Sequence, residues 1–384
     1  MLAVSIVKSA SAAYNLHHQV QYDADSDTHE ADNMHAFDYT DAPSKLFTPE
    51  IIGLLGAIHE HKGKQELFLS AKKDVLDSLG GIARVQSIES SNRIEGIFTS
   101  AKRVRDLASE KTTPKGRNEE EIAGYRDALS LIHESHDYID ITSNNILQLH
   151  ATMYKRTASS MGGHYKVGDN SIVEIDADGR RVERFKPILA VATPDAMERL
   201  CEAYRNALHA ERFDSLLLTC MFVFDFTCIH PFNDGNGRMS RLLTLLALYR
   251  TGYLVGKYVS IEKTIEDSKA SYYEALKASS ENWNKGLNDY APFVRYMLGV
   301  ILGACRDLES RVTSVEMGDA SKADRVAAVF DCKLGKVTKA DILAECPDIS
   351  QTTVERVLHD LLVAGRIEKV GRGPATGYVR VERE

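Results

Sequence analysis

Apolar residues recur at helical spacing along most of this chain. Ile51, Leu54, Leu55 and Ile58 follow Thr48-Pro49-Glu50, a hydroxyl N-cap with proline at the first helical position. A second helix is expected from near Asn118, where Glu119, Glu120 and Glu121 occupy a first turn whose dipole favours negative charge. Ser143 opens another, through Leu147, Leu149 and Met153, and Thr193-Pro194 opens one with Met197, Leu200 and Tyr204 on a single face. The most apolar run, residues 216–229 (LLLTCMFVFDFTCI), is shorter than the roughly 20 residues needed to span a bilayer, and Asp225 interrupts it. It reads as a buried core helix.

Two stretches depart from this pattern. Residues 162–186 alternate apolar and polar positions around Ile172, Val173 and Ile175, turn at Asp178-Gly179, and return through Val182 and Phe185. A hairpin alone in a helical protein is marginal, so it is expected to lie over something. From about Ser321, helical segments over 324–330, 339–344 and 350–364 precede RIEKVGRGPATGYVRVE, two strands around a Gly-rich turn. The expected fold is therefore mainly α. A helical core carries a short β-hairpin flap, and a winged helix-turn-helix follows at the C-terminus.

Composition narrows the class. A chain of 384 residues is about two domains long, and 43% hydrophobic with 27% charged residues suits a globular protein. The net charge of −8 counts against a protein built mainly to grip phosphate backbones. None of the six cysteines forms a CxxC pair, so neither a structural zinc site nor a disulfide scaffold is expected. The N-terminus lacks an apolar stretch preceded by basic residues, so no signal peptide is expected and the location reads as cytoplasmic, with no membrane association. Residues 21–44 hold seven acids and no Lys or Arg, which reads as an extended, solvated arm. The domains expected are an acidic arm at 1–46, a helical region at 47–113, a helical core at 114–312 and the tail domain at 320–384.

The apolar helix leads into His230-Pro231-Phe232-Asn233-Asp234-Gly235-Asn236-Gly237-Arg238-Met239-Ser240-Arg241. A histidine ends one helix and a carboxylate able to hold Mg²⁺ sits four residues on. Gly-Asn-Gly permits a tight bend straight into a new helix, whose free N–H groups and dipole make an anion site. Arg238 and Arg241 project from its first turn. Such a constellation handles phosphate.

These residues match the Fic family signature HxFx(D/E)GNGRxxR, and the likeness extends from about residue 47 to the end. The segment from about Asn118 through Trp283 and Phe293 resembles the Fic core, GHYKVGDNSIVEI its hairpin, and the tail the winged-helix appendage of bacterial members. The resemblance implies a protein adenylyltransferase, with ATP as substrate and Mg²⁺ as cofactor, moving AMP to a Ser, Thr or Tyr hydroxyl of a protein, itself included. His230 is then the general base, Asp234 the Mg²⁺ ligand, and Gly235, Asn236 and Gly237 the phosphate nest. Arg238 and Arg241 clamp the leaving pyrophosphate, and Phe232 anchors the loop. Asp169, Asn170, Ser171, Ile172 and Val173 form the edge on which the target docks. Tyr272 and Tyr273 fall on the side of the nucleotide base. Glycine at 235 and 237, rather than Lys, argues against phosphate transfer and leaves phosphocholine transfer as a minor alternative.

Upstream, Ser91-x-x-x-Glu95-Gly96 resembles the family's inhibitory motif, on a short helix with Ile82, Val85 and Ile88 expected to be buried. The resemblance implies that Glu95 pairs with Arg238 and takes the cation from the γ-phosphate. Two alternatives stand beside this reading: a Fic enzyme acting mainly in AMP removal, and a DNA-binding regulator using the tail. Residues 320–384 carry 11 Lys and Arg against 10 Asp and Glu, too balanced to favour DNA over target recruitment or a homodimer.

Overall fold

The computed structural model describes residues 35–384 except 72, 159–160, 176–179, 320–321, 333–335, 347–348, 372–375 and 382–384. The Asp178-Gly179 turn, the Gly-rich turn of the tail and the arm before residue 35 lie outside the described residues. The chain divides into two compact units, one ending at Leu308 and one beginning at Glu309.

The first unit is helical. Its helices are α1 (Pro49–Ala71), α2 (Lys73–Ile94), α3 (Ala101–Ala108), α4 (Arg117–Ser135), α5 (Ser143–Tyr154), α6 (Thr193–Ala210), α7 (Ser215–Ile229), α8 (Asn236–Arg250), α9 (Ile261–Asp267) and α10 (Lys269–Ser280), and α11 (Ala291–Asp319) begins within it. The start of α1 is as expected: Thr48 Oγ1 accepts from the Ile51 N–H at 3.3 Å, with Pro49 next in line. Every residue of α7 except Ser215 and Thr227 is buried, as an all-round apolar helix requires, and α6 and α8 pack against it. Gly124 lets α4 cross α5 closely, since a Cβ there would stand 1.8 Å from the Met153 carbonyl oxygen. No helix among the described residues is long and apolar enough to cross a membrane.

The hairpin forms as two antiparallel strands, β1 (Ile172–Ile175) and β2 (Arg181–Phe185), with Ile172 opposite Phe185. Phe185 meets the Trp283 ring edge-on at 6.0 Å, which seats the sheet on the core. In the second unit, α12 (Lys322–Cys332), α13 (Lys339–Glu345) and α14 (Gln351–Val363) precede the antiparallel pair β3 (Ile367–Val370) and β4 (Gly377–Arg380). Their core gathers Val326, Ile342, Val354, Leu358, Ile367 and Tyr378.

Three expectations need correction. The arm is not solvated where it is described: Tyr39 is 2% exposed and donates to Asp225 Oδ2 at 2.7 Å. Asp225 is itself buried and also accepts from Trp283 Nε1 (2.7 Å) and Tyr290 Oη (3.0 Å), while His35 stacks on Trp283 at 4.1 Å. The carboxylate that breaks the apolar run is thus a hub tying arm to core, and a buried acid needs several donors to be tolerated. Nor is the helix before Glu95 short, since α2 begins at Lys73. Of the three residues expected to be buried on it, Ile82 is exposed, Val85 is half-buried and Ile88 is buried, beside Leu79 and Ala83 on the inward face.

Candidate active site

The loop between α7 and α8 is held from all sides. His230 caps α7 in the left-handed region (φ 52°), its N–H donating to the Phe226 carbonyl at 3.1 Å. Gly235, at φ +84°, is the N-cap of α8, a conformation open to glycine. Asn236 fastens the bend with a reciprocal pair: its amide donates to the Phe232 carbonyl (2.7 Å) and its carbonyl accepts from the Phe232 N–H (2.9 Å). The α8 N-terminus therefore opens on to a fixed loop, and the first-turn N–H groups have no intrahelical acceptor.

A cavity of about 770 Å³ lies over this loop. His230, Asp234, Gly237 and Arg241 line it, with Glu95 and Gly96 from the end of α2. Tyr272 and Tyr273 of α10 face it beside Ile94, Ile97 and Leu276, an apolar and aromatic wall. Ile172 is the flap residue that reaches it, joined by Arg184 of β2.

His230 is 7% exposed, and its pKa is pushed down to about 4, first by burial and next by the Lys166 cation; the Glu95 carboxylate acts against this. The imidazole is neutral at neutral pH. Lys166 donates to the Ile229 carbonyl (3.1 Å) and to Asn170 Oδ1 (3.0 Å), and burial lowers its own pKa to about 8.

The two arginines part company. Arg241 donates from Nε to Ser91 Oγ, and from Nη2 to the Ser91 carbonyl and Glu95 Oε1, each at 2.8 Å. Arg238 instead pairs with Glu121 Oε2 of α4 at 2.8 Å, donates to Tyr154 Oη at 2.8 Å, and does not line the cavity. The expected Glu95–Arg238 pair is therefore replaced by Glu95–Arg241. Residues three apart on a helix differ by about 60° in direction, so the Arg241 guanidinium faces the end of α2, while that of Arg238 faces α4 and α5 and touches α2 only through Asn92 Oδ1 at 3.5 Å. Gly237 admits the carboxylate: a Cβ there would stand 2.1 Å from Glu95 Oε1.

Sequence reasoning missed Glu121 as a partner, assigning the acidic run to the dipole alone. Glu119 in that run pairs with Arg103, and Glu121 bridges Arg238 and Arg117, the latter at 2.8 Å. Glu121→Ala leaves Arg238 buried and unpaired and is expected to destabilise the first unit by about 3–5 kcal/mol. Trp283, the sole tryptophan and fully buried, reports this by fluorescence in urea unfolding. An unchanged midpoint contradicts it.

The flap edge is also only partly as expected. Asp169 accepts from the Ala190 N–H (2.7 Å), and the Asn170 amide reaches toward the carbonyls of Phe232 and His230 (3.4 and 3.5 Å). Asn170 thus turns inward to brace the loop instead of outward to a target, and Ser171 precedes β1. The strand edge begins at Ile172-Val173, although the Val173 side chain lies outside the described residues.

Asp234 fits a nucleotide-borne cation. Its Oδ1 accepts from the Gly235 N–H (2.9 Å), Oδ2 lies 3.6 Å from Arg117, and the side chain is 28% exposed to the cavity. Among the described residues no group of three or more His, Cys, Asp or Glu is arranged to hold a metal alone, so phosphate oxygens would complete the shell.

Residues 140–248 match the Fic/DOC family. Protein adenylyltransferase Fic of Drosophila melanogaster is 27% identical over 295 residues, 71% of this chain and 51% of the relative. The protein of that name from Drosophila willistoni is 28% identical over 281 residues, 69% and 50% of the two chains. The chain thus spans about half the length of the curated relatives it matches. A crystal structure of a Fic family protein from Desulfovibrio desulfuricans G20 gives a TM-score of 0.57 at 23% identity, covering 88% of this chain and 98% of that one. A Fic domain containing signaling protein from Bacteroides thetaiotaomicron VPI-5482 gives 0.58 at 21% identity, covering 67% and 97%. Both are likenesses of fold.

Proposed function

We propose, from the premise that this chain carries a Fic domain at residues 140–248, that it moves AMP from ATP to a hydroxyl side chain of a protein and that Glu95 restrains it. The observation that carries this reading is the convergence of His230, Asp234, Gly237 and Arg241 on one cavity, with Glu95 seated on Arg241.

The target oxygen attacks the α-phosphorus and gives its proton to the neutral His230 imidazole. A new O–P bond forms, the α–β bridging bond breaks, and pyrophosphate leaves. The first turn of α8 offers N–H groups to the phosphates as charge develops. Arg241 is the guanidinium for the β/γ end once Glu95 lets it go, and Arg238 braces the loop from behind. Asp234 would hold Mg²⁺, which supplies charge neutralisation to the phosphates. Tyr272 and Tyr273, with the apolar wall, suit the adenine face. The free edge of β1 suits a target segment in extended form, which brings its hydroxyl over His230. The exposed positions of α14, including Gln351, Glu355, Arg356 and Asp360, mix both charges, which supports a protein contact for the tail over DNA.

Incubating the Glu95→Gly protein with Mg²⁺ and either α-labelled or γ-labelled ATP tests the reading. Label on protein from the α position alone supports AMP transfer, whereas γ-label means phosphate transfer and sinks it. The pH profile adds a second check. Only the neutral imidazole accepts a proton, and burial beside Lys166 keeps it neutral below the ordinary 6.5. The acid limb of kcat/KM is therefore expected well below pH 6.5, toward about 4, with activity falling as pH drops through it. A limb at 6.5 or above contradicts this.

A further inference from the structure

We propose that His150 of α5 is a positioning residue that presets the Asp234 carboxylate. The inference rests on the nucleotide-site reading above and concerns a side chain outside the loop motif. His150 is 1% exposed, and both ring nitrogens are committed. Its Nδ1 accepts from the Gly163 N–H at 3.0 Å, so the neutral ring carries its proton on Nε2, which donates to the Asp234 carbonyl at 3.1 Å. The ring also lies flat on Phe232, with centroids 3.7 Å apart and planes 3° off parallel.

The decisive feature is one peptide plane. The Asp234 carbonyl and the Gly235 N–H belong to the same rigid unit. His150 grips its oxygen, while the Asp234 carboxylate takes its N–H at 2.9 Å. Rotation of that plane would carry Oδ1 with it and alter the left-handed Gly235 that starts α8. One turn along α5, Tyr154 supports the next step: its hydroxyl accepts from Arg238 and lies 2.9 Å from where a Gly235 Cβ would stand. One face of α5 thus templates the loop from Phe232 to Arg238. Outer partners that orient a metal-binding side chain are commonly worth about 10–100-fold in metal affinity.

Substitutions separate the two hydrogen bonds. In the Glu95→Gly background, His150→Phe keeps the stack and loses both bonds. His150→Gln can restore the donor to Asp234, and His150→Asn the acceptor for Gly163. Binding of Mn²⁺ with α,β-methylene-ATP, which cannot pass on its AMP, is read from the free-Mn²⁺ electron paramagnetic resonance signal. His150→Phe and His150→Asn are expected to weaken Mn²⁺ by about 10–100-fold, with His150→Gln recovering most of it. A ring that merely packs would instead lose affinity equally in Gln and Asn, or in neither, and either result overturns the proposal. Should His150→Phe fail to fold, the Gln and Asn pair still decides. A Glu95→Gly parent that binds no Mn²⁺ with the nucleotide overturns the site reading and this proposal together. A parent that binds alongside equally competent variants overturns this proposal alone.

Discussion

Glu95→Gly is expected to raise AMP transfer from α-labelled ATP by about 100-fold or more, because the carboxylate both takes the cation and fills its space. Arg241 makes three bonds to the end of α2, and only the one to Glu95 is lost on substitution; the two to Ser91 keep the guanidinium in place. The cation is thereby released without being misplaced. Removing the carboxylate also clears the volume beside Gly237, where Glu95 Oε1 stands 2.1 Å from the place a Cβ would take. A triphosphate can then lie along the first turn of α8, its α-phosphorus set for attack. The measurement is label incorporated per minute at saturating ATP. Equal rates for the substituted and unsubstituted proteins would remove Glu95 from any regulatory role.

His230→Ala, made in the Glu95→Gly background, is expected to lower kcat by about 10²–10⁴-fold while leaving nucleotide affinity nearly intact. In the proposed mechanism the imidazole takes the target proton, whereas α8 and Arg241 hold the phosphates. Its removal costs the fold little. The ring gives up only a hydrogen bond toward the Thr227 backbone, and the bond from the His230 N–H to the Phe226 carbonyl survives substitution. Titration with α,β-methylene-ATP beside single-turnover labelling separates binding from chemistry. A variant keeping transfer within tenfold of its parent would assign the proton to another group.

Legibility in the sequence followed range. The starts of α1, α5 and α6, the apolar α7 and the bend into α8 rest on local spacing and capping, and they stand as expected. The arginine partners did not, because Arg238 chooses between carboxylates far off in the chain, Glu95 and Glu121. That choice is set by a rotation of about 60° between neighbouring turns, and periodicity has no view of it. Asp225 was legible as a polar break but not as a hub, since its donors come from two distant segments, Tyr39 from the arm and Trp283 and Tyr290 from the stretch before α11. His150 gave no signal at all: a lone histidine on an apolar helix is an ordinary core residue until its two nitrogens are traced.

The helix carrying Glu95 is bolted to its neighbours. Ser87 donates to Glu262 and Ser90 to Glu266, Arg93 reaches Glu266, and Lys269 donates to the Ile94 carbonyl at 2.7 Å. Beyond Ile94 the backbone turns at Gly96, with φ +77°, and the N–H groups of Gly96 and Ile97 donate back to the Arg93 and Asn92 carbonyls at 3.0 Å each. If Glu95 restrains transfer as proposed, control at this site works as an intramolecular latch and not as a dissociable inhibitor. Its set point is independent of how dilute the protein is, and relief comes down to the swing of a single side chain at the mouth of the cavity.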